Sequence, residues 1–197
     1  MGIVDEISKI SREEVTVYVA EIDLKVILLL EDDYNFEVLL RNFPLAEQLK
    51  IRSKLQPGAS KREIVNRIFS RVLLNLLTGK EKEFIKEINF QYNEYGKPSV
   101  DGLQFNISTS NDIISLIVQG TSQKSLPVGI DLSHSIQKVD PSTCVEDFRG
   151  IFHKDEYDFL VGIDNQEERY EIFNQLWTLK EAYTKYLGVG LNVDLSK

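Results

Sequence analysis

Residues 176–191 read LWTLKEAYTKYLGVGL, and this stretch decides how the rest of the chain is interpreted. Apolar and aromatic residues recur in it at helical spacing, so Trp177 and Tyr183 are expected to anchor the helix in the core, and Gly188 and Gly190 end the helix. Glu181 and Lys185 lie four residues apart, so both project from one face of that helix. A Glu–Lys pair on a helix surface contributes only ~0.2–0.5 kcal/mol. Spacing alone therefore favours a plain surface pair, and a chemical role needs support from elsewhere in the sequence.

The composition excludes several classes of protein. The chain has 197 residues, of which 42% are hydrophobic and 10% aromatic, as in a protein with a globular core. Cys144 is the single cysteine, so no internal disulfide can form, and a reducing, cytoplasmic location is expected. The net charge of −8 argues against a general nucleic-acid-binding protein. No run approaches the ~20 apolar residues of a membrane span, and residues 1–10 lack the features of a signal peptide.

The hydrophobic pattern changes its period along the chain and predicts an α+β protein. Helical spacing predicts helices at residues 35–43, 61–77 and 167–187. The order is strands, helices, strands, helices without regular βα alternation, which favours antiparallel sheets. A loop near residue 122 is the expected boundary between two halves. The predicted strands, which are rich in apolar and β-branched residues, lie at residues 15–22, 25–31, 88–92, 103–108, 113–119 and 127–132.

Polar groups suited to chemistry follow the predicted strands. Asp131 lies in an apolar strand, where an acid is either partnered or at the edge of a cleft. Asp131 and Glu181 could together hold Mg²⁺, which takes few protein ligands and keeps waters or substrate phosphates. Ser108 and Thr109 offer hydroxyls to an anion, although such hydroxyls more often cap turns. Lys97 lies on a tight turn, where a solvated lysine is the simpler interpretation.

The distribution of charge is uneven in spite of the acidic total. Between residues 50 and 80 the chain carries eight basic residues and one acid, Glu63. Such a zone suits one anionic ligand, whereas a solvated helix face is the usual meaning of a charge run. Arg67 and Arg71 lie four residues apart, on the side of the predicted helix away from its apolar stripe. The sequence contains none of the common phosphate-loop, dinucleotide-binding, zinc-protease or nucleophile-elbow motifs.

Five motifs, taken in chain order, give the sequence a resemblance to a known family. They are NEYGKP at 93–98, FNIS at 105–108, VGIDL at 128–132, FHKDEY at 152–157 and the stretch at 176–191. Together they resemble the 4′-phosphopantetheinyl transferases, and most closely the large monomeric type that includes the surfactin-synthetase enzyme and the fungal and animal aminoadipate-reductase enzymes. The specific combination is G-[IV]-D followed about 50 residues later by W-x-x-K-E-[AS]. The resemblance runs over residues 44–191.

The resemblance implies an enzyme that moves the phosphopantetheine arm of coenzyme A onto a serine of an acyl or peptidyl carrier protein domain, with release of adenosine 3′,5′-bisphosphate. It implies Mg²⁺ as cofactor, coenzyme A as co-substrate, and a carrier partner such as that of an aminoadipate reductase in lysine biosynthesis. The alternatives are a non-catalytic protein that keeps the coenzyme A pocket, and a plain interaction module. A monomer without nucleic-acid or membrane partners is expected, unless an open sheet edge pairs with another chain.

The resemblance also assigns roles to individual residues. Asp131 and Glu181 would be the metal carboxylates, Glu181 would also be the base for the serine proton, and Lys185 would contact the diphosphate. Many relatives have a phosphate-contacting histidine where Thr109 stands, and the bacterial surfactin type has a second acid where Ser133 stands. The aminoadipate-reductase subtype lacks that second acid as well. The nucleotide would contact Lys97, Pro98, Ser108 and Thr109, and its 3′-phosphate would contact Lys50, Arg52, Arg62 and Arg67.

The fold that the resemblance implies is a pseudo-twofold pair of similar α+β halves, each a small antiparallel sheet with packed helices. Residues 1–122 would form the nucleotide-contacting half, and residues 123–197 the half with the metal and catalytic carboxylates. The active site would lie in the cleft between them. Relatives continue with further strands past GVGL at 188–191, so the second half is expected to be truncated in this chain.

Overall fold

A computed structural model describes residues 6–12, 15–56, 58–77, 88, 90–100, 103–111, 113–119, 126–135, 139–190 and 192–197. The strands are β1 (Glu6–Arg12), β2 (Val15–Asp23), β3 (Gln91–Tyr92), β4 (Pro98–Val100), β5 (Leu103–Ser110) and β6 (Ile113–Gln119). The α-helices are α1 (Asp33–Leu40), α2 (Leu45–Arg52), α3 (Ala59–Leu77), α4 (Cys144–Asp147), α5 (Lys154–Val161) and α6 (Gln166–Leu187). Short 3₁₀ helices occupy Leu24–Leu30 and Arg149–Ile151.

The six strands form one open sheet in the order β1-β2-β6-β5-β4-β3, and each neighbouring pair is antiparallel. β5 lies beside β6, with Ser108 opposite Ser115 and Thr109 opposite Ile114. The mixture of helices with an antiparallel sheet confirms the predicted α+β class. The long helices predicted at residues 61–77 and 167–187 correspond to α3 and α6.

Two groups of buried side chains hold the described chain together. The first lies between α3 and the sheet and includes Phe69 of α3 and Leu116 of β6. The second lies among α4, α5 and α6, where Phe173 makes edge-to-face contacts with Phe148 and Phe152 at ring-centroid distances of 5.5 and 5.6 Å. Burial of each large apolar side chain stabilises the fold by roughly 1.5–3 kcal/mol. Within the described residues, no helix is both long and apolar enough to cross a lipid bilayer.

The prediction of a strand at residues 25–31 is wrong, because a 3₁₀ helix occupies this part of the chain. The Asp23 side chain accepts a hydrogen bond of 2.8 Å from the backbone N–H of Lys25, which caps a helical turn immediately after β2. Leu30 is buried, whereas Leu28 and Leu29 remain exposed. An apolar run of this length is compatible with either a strand or a short helix. The hydrogen bond from Lys25 to the Asp23 side chain favours the helix.

The C-terminal part of the described chain is mainly helical. Residues 127–132, predicted as a strand, form an extended segment that belongs to no strand ladder. Past residue 126, the described residues contain helices and this segment but no strand, so the predicted pair of matching sheets is not confirmed. The predicted boundary at residues 122–123 lies outside the described residues.

Gly129 lets the extended segment lie directly against α6. A β-carbon placed on Gly129 would come within 2.2 Å of the Ala182 carbonyl oxygen and 2.3 Å of the Tyr186 amide nitrogen. Both of those atoms are helix backbone, which cannot move aside as the end of a flexible side chain can. A side chain at position 129 would therefore push the segment away from α6.

We predict that Gly129→Ala lowers the free energy of unfolding by at least about 2 kcal/mol, because the added methyl group overlaps helix backbone. Gly150→Ala is the matched control, since a β-carbon at Gly150 meets no atom within 4 Å. Urea denaturation of both variants measures the difference. Equal stabilities would show that the segment does not lie against α6 as described.

Candidate active site

β5 presents alternate side chains to its two faces. Asn106 and Ser108 face the extended segment and bind its backbone in place of a strand ladder. The Asn106 Oδ1 accepts from the Ile130 N–H at 3.0 Å, and the Ser108 Oγ accepts from the Leu132 N–H at 3.1 Å. These two hydrogen bonds fix the position of the segment along the length of β5.

The side chains of Ser108, Asp131 and Lys185, which come from three different parts of the chain, contact one another. The Ser108 hydroxyl donates to Asp131 Oδ1 at 2.9 Å, and the Lys185 ammonium lies 2.5 Å from the same oxygen. The Lys185 Nζ is also 3.2 Å from the Ser108 Oγ. The Asp131 side chain is only 13% exposed, so the ion pair is partly shielded from water. The structure thus brings together three residues that the sequence analysis named separately.

Glu181 lies one helical turn before Lys185 and shares this electrostatic environment. Burial raises the pKa of the Glu181 carboxyl, the negative charge of Asp131 raises it further, and Lys185 opposes the shift. The carboxyl groups of Asp131 and Glu181 are therefore close enough to interact electrostatically.

The donor set formed by these two carboxylates fits Mg²⁺. Mg²⁺ is usually bound by one or two carboxylates, with waters and substrate phosphates as the other ligands. A divalent cation between Asp131 and Glu181 would also offset their mutual repulsion. Among the described residues there is no group of three or more His, Cys, Asp or Glu side chains that could hold a metal, so a closed zinc site is not built here.

A separate cavity of about 300 Å³ lies between α3 and the other face of β5. Arg67 and Pro98, both predicted nucleotide contacts, line it together with the aromatic rings of Phe90 and Tyr92. Thr109 points to this face as well, where its hydroxyl donates to the Asn66 side chain at 3.3 Å. The cavity combines an aromatic wall with a wall that carries Arg67, Arg71 and Glu63.

Arg67 and Arg71 share one side of α3, as predicted, and both bond to Glu47, but Arg71 is the most buried charged group of this cavity. It is 2% exposed, stacks on Phe43 at 4.5 Å and donates to Glu47 at 2.8 Å. Its Nε and Nη1 atoms are buried and have no hydrogen-bond partner. Arg67 is neutralised as well, by Glu47 and Glu63 at 2.6 and 2.7 Å. The four-residue spacing of the two arginines was the only sign of Arg71 in the sequence.

The other three predicted 3′-phosphate contacts do not line this cavity. Lys50, Arg52 and Arg62 are exposed, and Arg52 is paired with Glu37 at 2.5 Å. The basic zone between residues 50 and 80 is thus partly matched by acids from outside the zone, among them Glu37. Contacts of these three residues with a phosphate stay a prediction.

Lys97 occupies an unexpected position for a predicted nucleotide contact. Its ammonium donates to the carbonyl oxygens of Val128, Lys185 and Tyr186 at 2.8, 2.6 and 3.0 Å. Burial lowers the pKa of Lys97. Asn93, in the same turn, donates to the Gly188 carbonyl at 2.8 Å. Asn93 and Lys97 therefore both bind the C-terminal end of α6. A direct contact of Lys97 with a nucleotide stays a prediction.

Two aromatic residues and a lysine of the stretch at 176–191 lie in different environments. Trp177 packs edge-to-face on Phe148 at 5.3 Å and orients α6, as predicted. Tyr183 is 54% exposed and stacks on Tyr186, so its predicted place in the core is wrong. Lys180 faces away from its neighbour in sequence, Glu181, and pairs instead with Glu156 of α5 at 2.7 Å.

Comparison with known proteins assigns this arrangement to a family. A family model described as the 4′-phosphopantetheinyl transferase superfamily matches residues 127–197, the part that carries Asp131, Glu181 and Lys185. Over this part, the chain is similar to members of the 4′-phosphopantetheinyl transferase superfamily. The recognition made from the sequence motifs is thereby confirmed.

Several curated members of the superfamily are similar over most of this chain. The L-aminoadipate-semialdehyde dehydrogenase-phosphopantetheinyl transferases of Saccharomyces cerevisiae and Candida glabrata are 28% and 33% identical over 98% and 83% of it. The 4′-phosphopantetheinyl transferase Sfp of Bacillus subtilis is 30% identical over 73% of it. The chain spans 70%, 62% and 61% of the lengths of these three relatives, respectively.

We predict that Lys97→Met lowers the free energy of unfolding by about 1–3 kcal/mol, because three backbone carbonyls lose their donor. Lys154→Met serves as control, since the Lys154 side chain is 83% exposed. Thermal and urea unfolding report the difference. A Lys97→Met protein as stable as the control would contradict the role of Lys97 as a link between the turn and α6.

We also predict that Glu181→Gln stabilises the protein at pH 7. A pKa raised in the folded state gives stability that is complete below the unfolded pKa and is lost as the pH rises through the folded pKa. Removing the charge should recover that loss, by up to about 1 kcal/mol given the solvent screening of a partly exposed group. The gain corresponds to roughly 2–4 °C in melting temperature.

The gain should disappear below about pH 4, where the unfolded chain also carries a protonated glutamate. Melting curves at both pH values, without divalent cations, measure it. Glu168→Gln, an exposed position of the same helix, controls for a general effect of removing charge. A lower melting temperature for Glu181→Gln at pH 7 would argue against the repulsion between Asp131 and Glu181.

Proposed function

We propose that this protein transfers the 4′-phosphopantetheine arm of coenzyme A to a serine of an acyl or peptidyl carrier protein domain, releasing adenosine 3′,5′-bisphosphate. The observation that carries the proposal is the contact of Asp131 with Ser108 and Lys185, with Glu181 near enough to interact with both charges, in a chain whose relatives bear the names of such transferases. In this proposal residues 1–122 hold the nucleotide and residues 123–197 supply the carboxylates.

The nucleotide end of coenzyme A fits the cavity between α3 and β5. Phe90 and Tyr92 offer aromatic faces to an adenine ring, and Arg71 retains two buried N–H groups without partners for a phosphate. Arg67 would add charge once a phosphate competes with its glutamate partners. Thr109 and Ser108 are neighbours on β5 that face opposite ways. Thr109 faces this cavity, and Ser108 faces Asp131.

Asp131 and Glu181 would hold Mg²⁺ beside the diphosphate. The ion would supply neutralisation of the negative charge that builds up as the phosphoryl group is transferred. Lys185 would add a fixed positive charge next to the leaving bisphosphate, since its ammonium already lies between Asp131 and Ser108. The protein contributes mainly positioning and electrostatics, as phosphoryl transfer requires.

Glu181 would accept the proton of the carrier serine, directly or through a water molecule. The serine oxygen forms a bond to the β-phosphorus, and the bond from that phosphorus to the bridging oxygen breaks. The bridging oxygen leaves with adenosine 3′,5′-bisphosphate, and the serine proton ends on Glu181. A carboxylate whose pKa is raised by burial and by a neighbouring charge is a better proton acceptor than an ordinary glutamate.

The carrier partner in this proposal is the carrier domain of an aminoadipate reductase, in a lysine-biosynthesis role. Two of the relatives carry names that refer to L-aminoadipate-semialdehyde dehydrogenase. The protein would act as a cytoplasmic monomer, which agrees with its single buried cysteine.

The test is transfer to a purified carrier domain, followed by intact-protein mass spectrometry. We expect a phosphopantetheine mass on the carrier that requires coenzyme A and is abolished by EDTA and restored by Mg²⁺. Glu181→Gln and Asp131→Asn should each lower the rate at least 10²-fold, since each removes a metal ligand and the former also removes the base. Lys154→Ala, an exposed lysine outside the site, should leave the rate unchanged. Near-normal transfer by Glu181→Gln would refute its role.

A further inference from the structure

A second and larger cavity, of about 1090 Å³, lies along the N-terminal half of α6. Residues 133–135 form one wall, and α6 forms the other with Tyr170, Asn174 and Gln175. The nucleotide and metal roles described above use none of the α6 residues on this wall. The cavity nevertheless begins near the site in the chain, because Ser133, which lines it, follows Asp131 by two residues and accepts a hydrogen bond of 2.7 Å from Thr178 of α6.

Asn174 shows that the cavity is built for a polar ligand. Its side chain is 5% exposed, and its Oδ1 atom is buried without any hydrogen-bond partner. A buried acceptor left unsatisfied costs about 1–3 kcal/mol, so its persistence needs a reason. Asn174 precedes Glu181 by seven residues and so projects from the same face of α6. An N–H or O–H donor bound in the cavity would satisfy this oxygen.

The charge of the cavity indicates which kind of donor belongs there. Its described lining residues include Glu167 and Glu171 but no lysine or arginine, in contrast to Arg67 and Arg71 in the cavity at α3. A phosphate or another anion is disfavoured beside two glutamates. The other lining groups are mainly amides and hydroxyls, among them Ser133 and Gln175. These groups suit an uncharged chain that carries amide and hydroxyl groups.

We propose that this cavity binds the pantetheine arm of coenzyme A, with Asn174 Oδ1 accepting a hydrogen bond from an amide or hydroxyl of the arm. The inference rests on the proposed function. The arm is uncharged, carries amide N–H groups and a hydroxyl, and is attached to the diphosphate. A diphosphate at Asp131 and Glu181 would place the start of the arm close to Ser133, which lines the cavity and lies two residues after Asp131. The two cavities then receive the two chemically different ends of one molecule.

The test compares two ligands on two proteins by isothermal titration calorimetry in the presence of Mg²⁺. Coenzyme A carries the arm, and adenosine 3′,5′-bisphosphate lacks it. Wild-type protein is expected to bind coenzyme A more tightly than the bisphosphate. Asn174→Leu should weaken coenzyme A binding by about tenfold, the effect of one buried hydrogen bond, and leave bisphosphate binding unchanged. Asn42→Leu, at an exposed asparagine near α1, should change neither affinity.

Thermal unfolding separates a binding effect from misfolding. Asn174→Leu removes a buried acceptor that has no partner, so its melting temperature should equal or exceed that of the wild type. A lower melting temperature, or equal weakening of both ligands, would overturn the assignment of the cavity while leaving the transferase proposal intact. A variant that raises KM for the carrier domain alone would assign the cavity to the acceptor protein, which also overturns it. Failure of the wild type to bind either ligand would remove the proposed function itself.

Discussion

The lack of a side chain at Gly129 is the constraint on which the site depends. Only a glycine allows the extended segment to touch the backbone of α6 at Ala182 and Tyr186. Asp131 follows two residues later, and Lys185 lies on the same stretch of the helix, so the contact at Gly129 sets the distance between them. Ser108 then fixes the segment from the other side. The glycine and the aspartate of the G-[IV]-D motif are thus one geometric unit.

Several polar groups in and near the site lower the stability of the fold. Asp131 and Glu181 repel each other in a partly buried position, and one ammonium, that of Lys185, offsets only part of that repulsion. The buried atoms of Arg71 and Asn174 that have no hydrogen-bond partner also lower stability, since each has left water without gaining a partner in the protein. Such groups concentrate where a protein holds substrate in a prearranged setting. All of them lie in or beside the two cavities and the carboxylates that join them.

The sequence predicts the parts of the fold that depend on local periodicity. α3 and α6 follow from apolar residues at helical spacing, and β5 and β6 from alternation. The run at 25–31 is misread because a single side-chain cap, at Asp23, outweighs its strand-like composition. The extended state of residues 127–132 is predicted, but their lack of strand partners among the described residues depends on side chains of β5 that no local pattern reveals.

Some residues of the candidate site could be predicted from the sequence, and others could not. Residue types and motif order name Asp131, Glu181 and Lys185, because acids and lysines in apolar stretches stand out in a sequence. The burial of Arg71 and the bonds of Lys97 to backbone carbonyls are invisible there. Both depend on contacts between segments far apart in the chain, and periodicity carries no information about such contacts. Tyr183 is the converse case, since an aromatic residue of a core helix remains largely exposed.

The turn that carries Lys97 has a mechanical consequence. Lys97 holds the last carbonyls of α6, and the next residue, Pro98, lines the cavity at α3. One peptide bond therefore separates the residue that holds the end of α6 from a residue that lines the cavity at α3. The proline ring stiffens the turn, because it removes rotation about its own N–Cα bond. We expect a movement of this turn to disturb both regions, since neighbouring residues contact the cavity at α3 and the end of α6.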